Sequence, residues 1–416
     1  MSASSLSSKL KSLGVKVGAR DLPPPPPVAE KRRARFGIEN VLPGRVIENA
    51  YGSCFVVEAD YASDYLHGNA PLHAPAPLAA IARWARDARI AGCPRESLVF
   101  LDTETTGLAG GSGTLPFMIG VGRFMGGQFR LAQFFMRDPE DEPALLAALA
   151  EWVTPCETLV TFNGRAFDMP LVSTRYTLHR RRMPLSGAPH LDLLPLARRL
   201  WRDRLASRAL GSLEQHILGA TRRHDDVPGM LIPLMYFDYL RSGDARPLKG
   251  IFYHNAMDIL AMGALLGLMA QMLADPTGTA VQHPQDYVSL GKLYEDLGEH
   301  EIALQAYERG RAADLSPGAF RVTTQRLALL HRKRGAFDRT LELWQEAARA
   351  GDIDALVGLA KHYEHGLRDY AQAERATLEA IKFLRAGGIG TRERRLRLAE
   401  LEHRLKRVST KSRRAA

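Results

Sequence analysis

The feature that most constrains this chain is an apolar run, Ser-Leu-Val-Phe-Leu at 97–101, that ends in Asp102 and Glu104 of Asp-Thr-Glu-Thr-Thr-Gly. On a strand, positions two apart point to the same side, so both carboxylates share one face. Two more acidic motifs follow. Asp168 closes Thr-Phe-Asn-Gly-Arg-Ala-Phe-Asp at 161–168, and Asp258 sits in Tyr-His-Asn-Ala-Met-Asp at 253–258. Hard divalent cations take oxygen ligands, and two Mg²⁺ or Mn²⁺ ions about 3.5–4 Å apart need carboxylates converging from different elements. Asp102, Glu104, Asp168 and Asp258 are therefore the candidate ligands of a pair of divalent ions.

The pattern around them predicts strands at 97–102, 117–124, 129–136 and 158–162 and a helix at 142–153, with further helices after it. Ser212-Leu-Glu-Gln reads as a capping box opening one of those helices. The Gly-rich stretch 107–113 lacks the Gly-Lys-Ser/Thr ending of a phosphate loop and reads as a flexible turn. Upstream, residues 1–36 are Ser-rich, contain Pro23–Pro27 and a basic run, and read as a disordered leader. Residues 37–92 predict short strands at 45–49 and 54–59 and a helix over 78–90 as an extension that braces the domain at 93–275. From 284 to 384 the pattern becomes paired helices. Gly291, Tyr294 and Tyr307 recur 37 residues later as Ala328, His331 and Trp344, with a looser third copy containing Ala360 and Tyr363. Residues 385–416 form a basic helix and tail.

At 416 residues with 45% hydrophobic content, the chain has the composition of an ordinary globular protein. Charged residues interrupt the apolar stretches before the 18 or so needed for a membrane span, so no membrane partner is expected. Cys54, Cys93 and Cys156 lie far apart and read as reduced thiols of a cytoplasmic protein. The net charge of +10 is unevenly spread: residues 1–44 hold eight basic and three acidic residues and residues 391–416 hold ten and three, leaving the body near neutral. Within the body, Arg175–Arg208 carries nine Arg and two Asp around Trp201. That stretch either holds a phosphate backbone, with the indole stacking on a base, or is a solvated helix face.

The order Asp-x-Glu, Asn-x-x-x-Phe-Asp and His-x-x-x-Asp resembles the DEDD 3′–5′ exonuclease superfamily, and residues 98–273 are similar to its YprB-like branch. Further matching stretches are His190-Leu-Asp-Leu-Leu, Ala197-Arg-Arg-Leu-Trp, and Asp226-Val-Pro-Gly with Ile232-Pro233 and Tyr236. The resemblance implies an α/β ribonuclease H-like domain, a mixed sheet flanked by helices. The 284–384 region resembles tetratricopeptide repeats, an all-α domain able to present a groove to a protein partner.

The implied activity is metal-dependent hydrolysis of single-stranded DNA or RNA from the 3′ end, with Thr103, Asn163, Arg165 and Asn255 of the same motifs as candidate substrate contacts. The third motif departs from the two main subclasses, which place a His five residues before the Asp or a Tyr four before it. Here Tyr253 and His254 have exchanged places. His254 shares a helix face with Asp258, and an unperturbed imidazole titrates near pH 6.5, so His254 is the candidate base or orienter of the attacking water. The alternative from a different class is a non-catalytic nucleic-acid-binding or scaffold protein working through the repeats and basic tails.

Overall fold

In the computed structural model, which describes residues 36–62, 64–72, 76–107, 113–224, 226–386 and 391–415, the acidic-ended run lies in the interior of a seven-stranded sheet. The leader before Phe36 and most of the Gly-rich turn fall outside the described residues.

The strands are β1 Arg45–Asn49, β2 Gly52–Tyr61, the short β3 Leu66–His67 and β4 Ala70–Pro71, β5 Leu98–Thr105, β6 Pro116–Met125, β7 Gln128–Phe135, β8 Thr158–Thr161 and β9 His190–Asp192. The large sheet runs β1-β2-β7-β6-β5-β8-β9; β3 and β4 pair only with each other. Pairing is antiparallel from β1 through β5 and parallel from β5 through β8 to β9. The sheet is therefore mixed and flanked by helices, the architecture expected from the sequence. The N-terminal extension goes further than bracing, because β2 pairs with β7 and carries the sheet two strands beyond it.

Glycine spacing on β6 explains how the sheet accepts its central helix, Leu248–Ala274. A Cβ on Gly122 would meet the Phe129 ring at 2.4 Å and Ile259 at 2.7 Å, and one on Gly120 would meet the Asn255 amide at 2.0 Å. Without these side chains the helix lies close against the strand. By length and composition it is long and apolar enough to cross a membrane, with Asp258 interrupting its apolar run. Here 78% of its most apolar window is buried within the protein.

Two local readings need correction. The helix expected over 78–90 ends at Ala85, where Arg86 turns left-handed with φ 57°, and resumes as a short 3₁₀ turn at Ala88–Ile90. Ser212 does not cap a helix. The helix is Leu210–His216 with Ala209 at its start, and the Ser212 hydroxyl donates to the Ser207 carbonyl.

Seven helices follow among the described residues: Pro284–Asp296, His300–Arg311, Pro317–Lys333, Phe337–Arg349, Ile353–His362, Tyr370–Ala386 and Thr391–Ala415. Tyr294, Tyr307 and Trp344 are buried, with the Tyr307 ring set against Gly291 and the Trp344 ring against Gly358. Tyr363 is only half-buried. The last helix packs on Tyr370–Ala386 through Leu401 and Val408.

Most of the Arg175–Arg208 stretch is neither a phosphate track nor a free face. Arg199 pairs with Asp296, Arg204 with Asp286 and Asp203 with Lys292, tying the sheet domain to the first C-terminal helix. Arg175 is buried against Glu142. Trp201 is fully buried, so its indole has no face for a base. Arg180, Arg182, Arg198 and Arg202 remain exposed.

Candidate active site

β5 carries Asp102, Thr103 and Glu104 to the end of the sheet, and Asp102 lies in register with Gly120 of β6, which in turn faces Gln133 of β7. Through the gap that Gly120 leaves, Asn255 reaches the sheet from the central helix. Its Nδ2 donates to Asp102 Oδ2 at 2.9 Å, while its Oδ1 accepts from Gln133 Nε2 at 3.1 Å. Gln133 is fixed in turn by the Phe252 carbonyl at 2.8 Å. The three polar side chains form one satisfied chain that sets the orientation of the Asp102 carboxylate. Asn255, expected to touch substrate, is completely buried and has both ends of its amide engaged. Its contacts are to Asp102 and Gln133.

The second motif is built on a tight turn after β8. Asn163 adopts φ 66°, a left-handed conformation that Asn tolerates better than most residues. Asp192, at the end of β9, gathers this turn: it accepts the backbone N–H of Asn163 at 2.7 Å, of Arg165 at 3.2 Å and of Leu194 at 3.1 Å. The turn delivers Asp168 to the first position of the Asp168–Leu178 helix, where the partial positive charge of a helix start favours a carboxylate. Thr103 donates its hydroxyl to Asp168 Oδ1, so it too orients a carboxylate. The exposed Arg165 side chain donates to the His190 carbonyl. Phe167, between Arg165 and Asp168, is 59% exposed.

The third motif brings His254 and Asp258 to the same site, with His254 Nε2 at 3.7 Å from Asp258 Oδ2. Sequence reasoning missed the segment facing them. Arg222 donates to Asp258, to Glu214 at 2.5 Å and to Asp226 at 3.5 Å, and its Nη1 is 3.3 Å from His254 Nδ1. Glu214 is buried and bonds His67 Nε2 at 2.7 Å, closing a network from β3 to the central helix. Asp226 Oδ1 lies 2.9 Å from His254 Nδ1. Tyr253 faces away from the carboxylates: its hydroxyl accepts from the Arg223 N–H at 2.9 Å and its ring lies 4.6 Å beneath the Arg223 guanidinium. The exchanged Tyr and His thus have separate surroundings, Tyr253 against Arg223 and His254 beside Asp226 and Asp258. Asp226 stood in a stretch that carried the resemblance, whereas Glu214 was hidden inside the misread capping box.

The electrostatics are those of crowded carboxylates, Glu104 buried and Asp102, Asp168 and Asp258 half-buried. Burial first, then the charges of Asp258, Asp168 and Glu104, raise Asp102 well above the usual carboxylate range against the opposing hydrogen bond from Asn255. Glu104 is raised in the same way by burial, Asp258 and Asp168, with Arg222 opposing. Burial also raises Asp168, and its hydrogen bond from Thr103 works against that.

Among the described residues no group of three His, Cys, Asp or Glu side chains is already set to hold a metal ion. Asp102, Asp168 and Asp258 are each tied to a neighbouring donor. The donor type and charge nevertheless fit hard divalent cations: four carboxylates converge, two are pushed up partly by mutual repulsion, and Arg222 is the cation set among them.

A family model described as RNase_H superfamily matches residues 99–270. The curated relative "Uncharacterized protein YprB" from Bacillus subtilis (strain 168) is 31% identical over 342 residues, covering 79% of this chain and 80% of its own length. Among solved structures, the family B DNA polymerase from the hyperthermophilic archaeon Pyrobaculum calidifontis is similar at 15% identity. That match covers 49% of this chain and 29% of the polymerase chain with a TM-score of 0.32.

Proposed function

The chain belongs to the YprB family and carries an RNase H superfamily domain, and from that premise we propose that it is a metal-dependent nuclease hydrolysing phosphodiester bonds of single-stranded DNA or RNA from the 3′ end. The observation that carries this reading is the convergence of Asp102, Glu104, Asp168 and Asp258, one buried and three half-buried, where burial first and then the neighbouring negative charges raise the first two. Crowding like charges costs stability, and a chain selected only for folding or scaffolding has no use for it.

Asp102, Glu104, Asp168 and Asp258 would hold two divalent ions, Mg²⁺ or Mn²⁺. When bound, such ions supply Lewis-acid stabilisation of charge on the phosphate and the leaving 3′ oxygen. The protein's own groups do the rest. Gln133 and Asn255 keep Asp102 pointed into the site, and Thr103 does the same for Asp168. With the His254 proton on Nδ1 facing Asp226, Nε2 would carry the lone pair and could take a proton from the attacking water. Arg222 balances Asp258 and Asp226, and in this reading it turns to a phosphate oxygen when a phosphate enters the site. Phe167 offers an exposed aromatic face beside Asp168 for a terminal base. We read the C-terminal helices as degenerate tetratricopeptide-like repeats.

The test is incubation of the purified chain with end-labelled single-stranded DNA and RNA in Mn²⁺ or EDTA. Stepwise shortening of 5′-labelled strands in Mn²⁺ alone is the expected result. Binding without cleavage under every condition would favour the scaffold reading.

A further inference from the structure

The C-terminal helices enclose a cavity of about 290 Å³ lined by Arg332, Trp344, Lys361, His362, His365 and Arg404 together with Gly358 and Gly366. No acidic residue is among these, and neither Arg332 nor Lys361 makes an ion pair among the described residues; both are exposed. Arg404 reaches Glu364 at 2.7 Å, but that buried carboxylate is also shared by Arg407 and Lys411 at 2.8 and 3.0 Å. One acid against three cations leaves this corner positive before Arg332 and Lys361 are counted.

The wall is shaped by an irregularity. The helix Ile353–His362 runs on into a π-helical turn, Tyr363–Leu367, which ends where Arg368 turns left-handed at φ 53°. Such turns are rare and concentrate at functional sites. Gly358 is needed on this wall because a Cβ there would meet the Trp344 indole at 2.8 Å. At the rim, the half-exposed Phe337 stacks on His362 with ring centroids 5.8 Å apart and planes inclined by 30°.

We propose that this cavity is a phosphate-binding site for single-stranded nucleic acid, separate from the carboxylate cluster. Arg332, Lys361 and Arg404 donate to backbone oxygens, and the Phe337–His362 ledge stacks a base. Cations beside a flat ring are what a single strand requires, since it offers regularly spaced phosphates and bases with two π-faces. An acidic peptide would use the cations and leave the ledge idle. The choice of nucleic acid rests on the nuclease reading, while binding itself requires no cleavage.

The test uses the full chain in EDTA, with fluorescence anisotropy of labelled dT20 and rU20 across a salt series. Arg332→Gln/Lys361→Gln should weaken binding by about 10-fold or more. It should also flatten the log-log salt dependence by about 1.4, the contribution of two single-strand phosphate contacts. Phe337→Ala should weaken binding about 5-fold or more with the salt slope unchanged, the loss of one stacked base. Unchanged affinity and slope in the double variant, with its melting temperature preserved, would overturn the proposal. So would an acidic hexapeptide that binds the wild type and is lost in the double variant while the oligonucleotide isotherms stay the same. Failure of the nuclease reading is seen separately, as wild-type protein that binds dT20 or rU20 and cleaves neither in Mn²⁺.

Discussion

His254 Nδ1 lies 2.9 Å from Asp226 Oδ1, although the two residues sit on different elements, the central helix and the segment that precedes the Ile232–Ser242 helix. A carboxylate at Nδ1 favours the Nδ1–H tautomer, and Nε2 lies 3.7 Å from Asp258 Oδ2. His254→Ala should lower turnover by about 10² to 10⁴, the usual range for a general base, with little change in substrate affinity. Asp226→Asn should lower it less, and Asp226→Glu should recover part of the loss. Normal cleavage by His254→Ala over pH 6 to 8 would remove His254 from the mechanism.

The relation between Gly120 and Asn255 gives a packing prediction. A methyl group at Gly120 would fall 2.0 Å from Asn255 Oδ1, so the helix or the amide must yield. Gly120→Ala should cost about 1 to 3 kcal/mol in denaturant unfolding, the usual range for overpacking a filled core. It should also reduce activity beyond what stability explains, because the Gln133–Asn255–Asp102 chain is displaced.

The raised carboxylates make a signed prediction about metal-free protein. Asp102 has a folded value above its unfolded one, so this group favours folding less as pH rises from the unfolded value through the folded one. In EDTA, Asp102→Asn should therefore melt higher than wild type at pH 8, and the gap should close as pH falls toward 4. An Asn oxygen can still accept from the Asn255 amide. Mn²⁺ should raise the melting temperature of wild type more than that of the variant. A variant less stable than wild type at pH 8 in EDTA would contradict the repulsion.

Glu364 has the opposite sign. Hydrogen bonds from Arg407 and Lys411 pull it down to about 2, so its contribution is complete above the usual glutamate range and is lost as pH falls toward 2. Wild type should exceed Glu364→Gln in melting temperature at pH 6, with the difference shrinking between about pH 4.5 and pH 2. A constant difference would mean that packing, and not charge, holds the last helix.

What the sequence disclosed follows from how each signal is encoded. β5, β6 and β7 were legible because apolar runs bounded by turn residues leave a local pattern, and the four carboxylates because each sits in a short motif. The supporting residues were not legible. Asn255 belongs to a motif and so looked like a substrate contact, yet its role depends on the missing side chain at Gly120, a pairing of residues far apart in sequence. Arg222 and Glu214 carry no motif, and their meaning lies in the network from His67 to Asp258. Charge counting misread Arg199 and Arg204 because their partners, Asp296 and Asp286, lie in another part of the chain.

The central claim is that the carboxylate cluster cleaves single-stranded nucleic acid, and Asp168→Asn tests it most directly. Asn matches Asp168 in shape and its amide oxygen can still accept from the Thr103 hydroxyl, so the fold should survive. Wild type and variant are compared on 5′-labelled dT20 and rU20 in Mn²⁺, with melting measured alongside. The account predicts progressive shortening from the 3′ end by wild type and a loss of about 10³-fold or more in the variant, comparable to removing a key electrostatic group from an active site. Equal turnover by the two proteins, with unchanged melting, would contradict it.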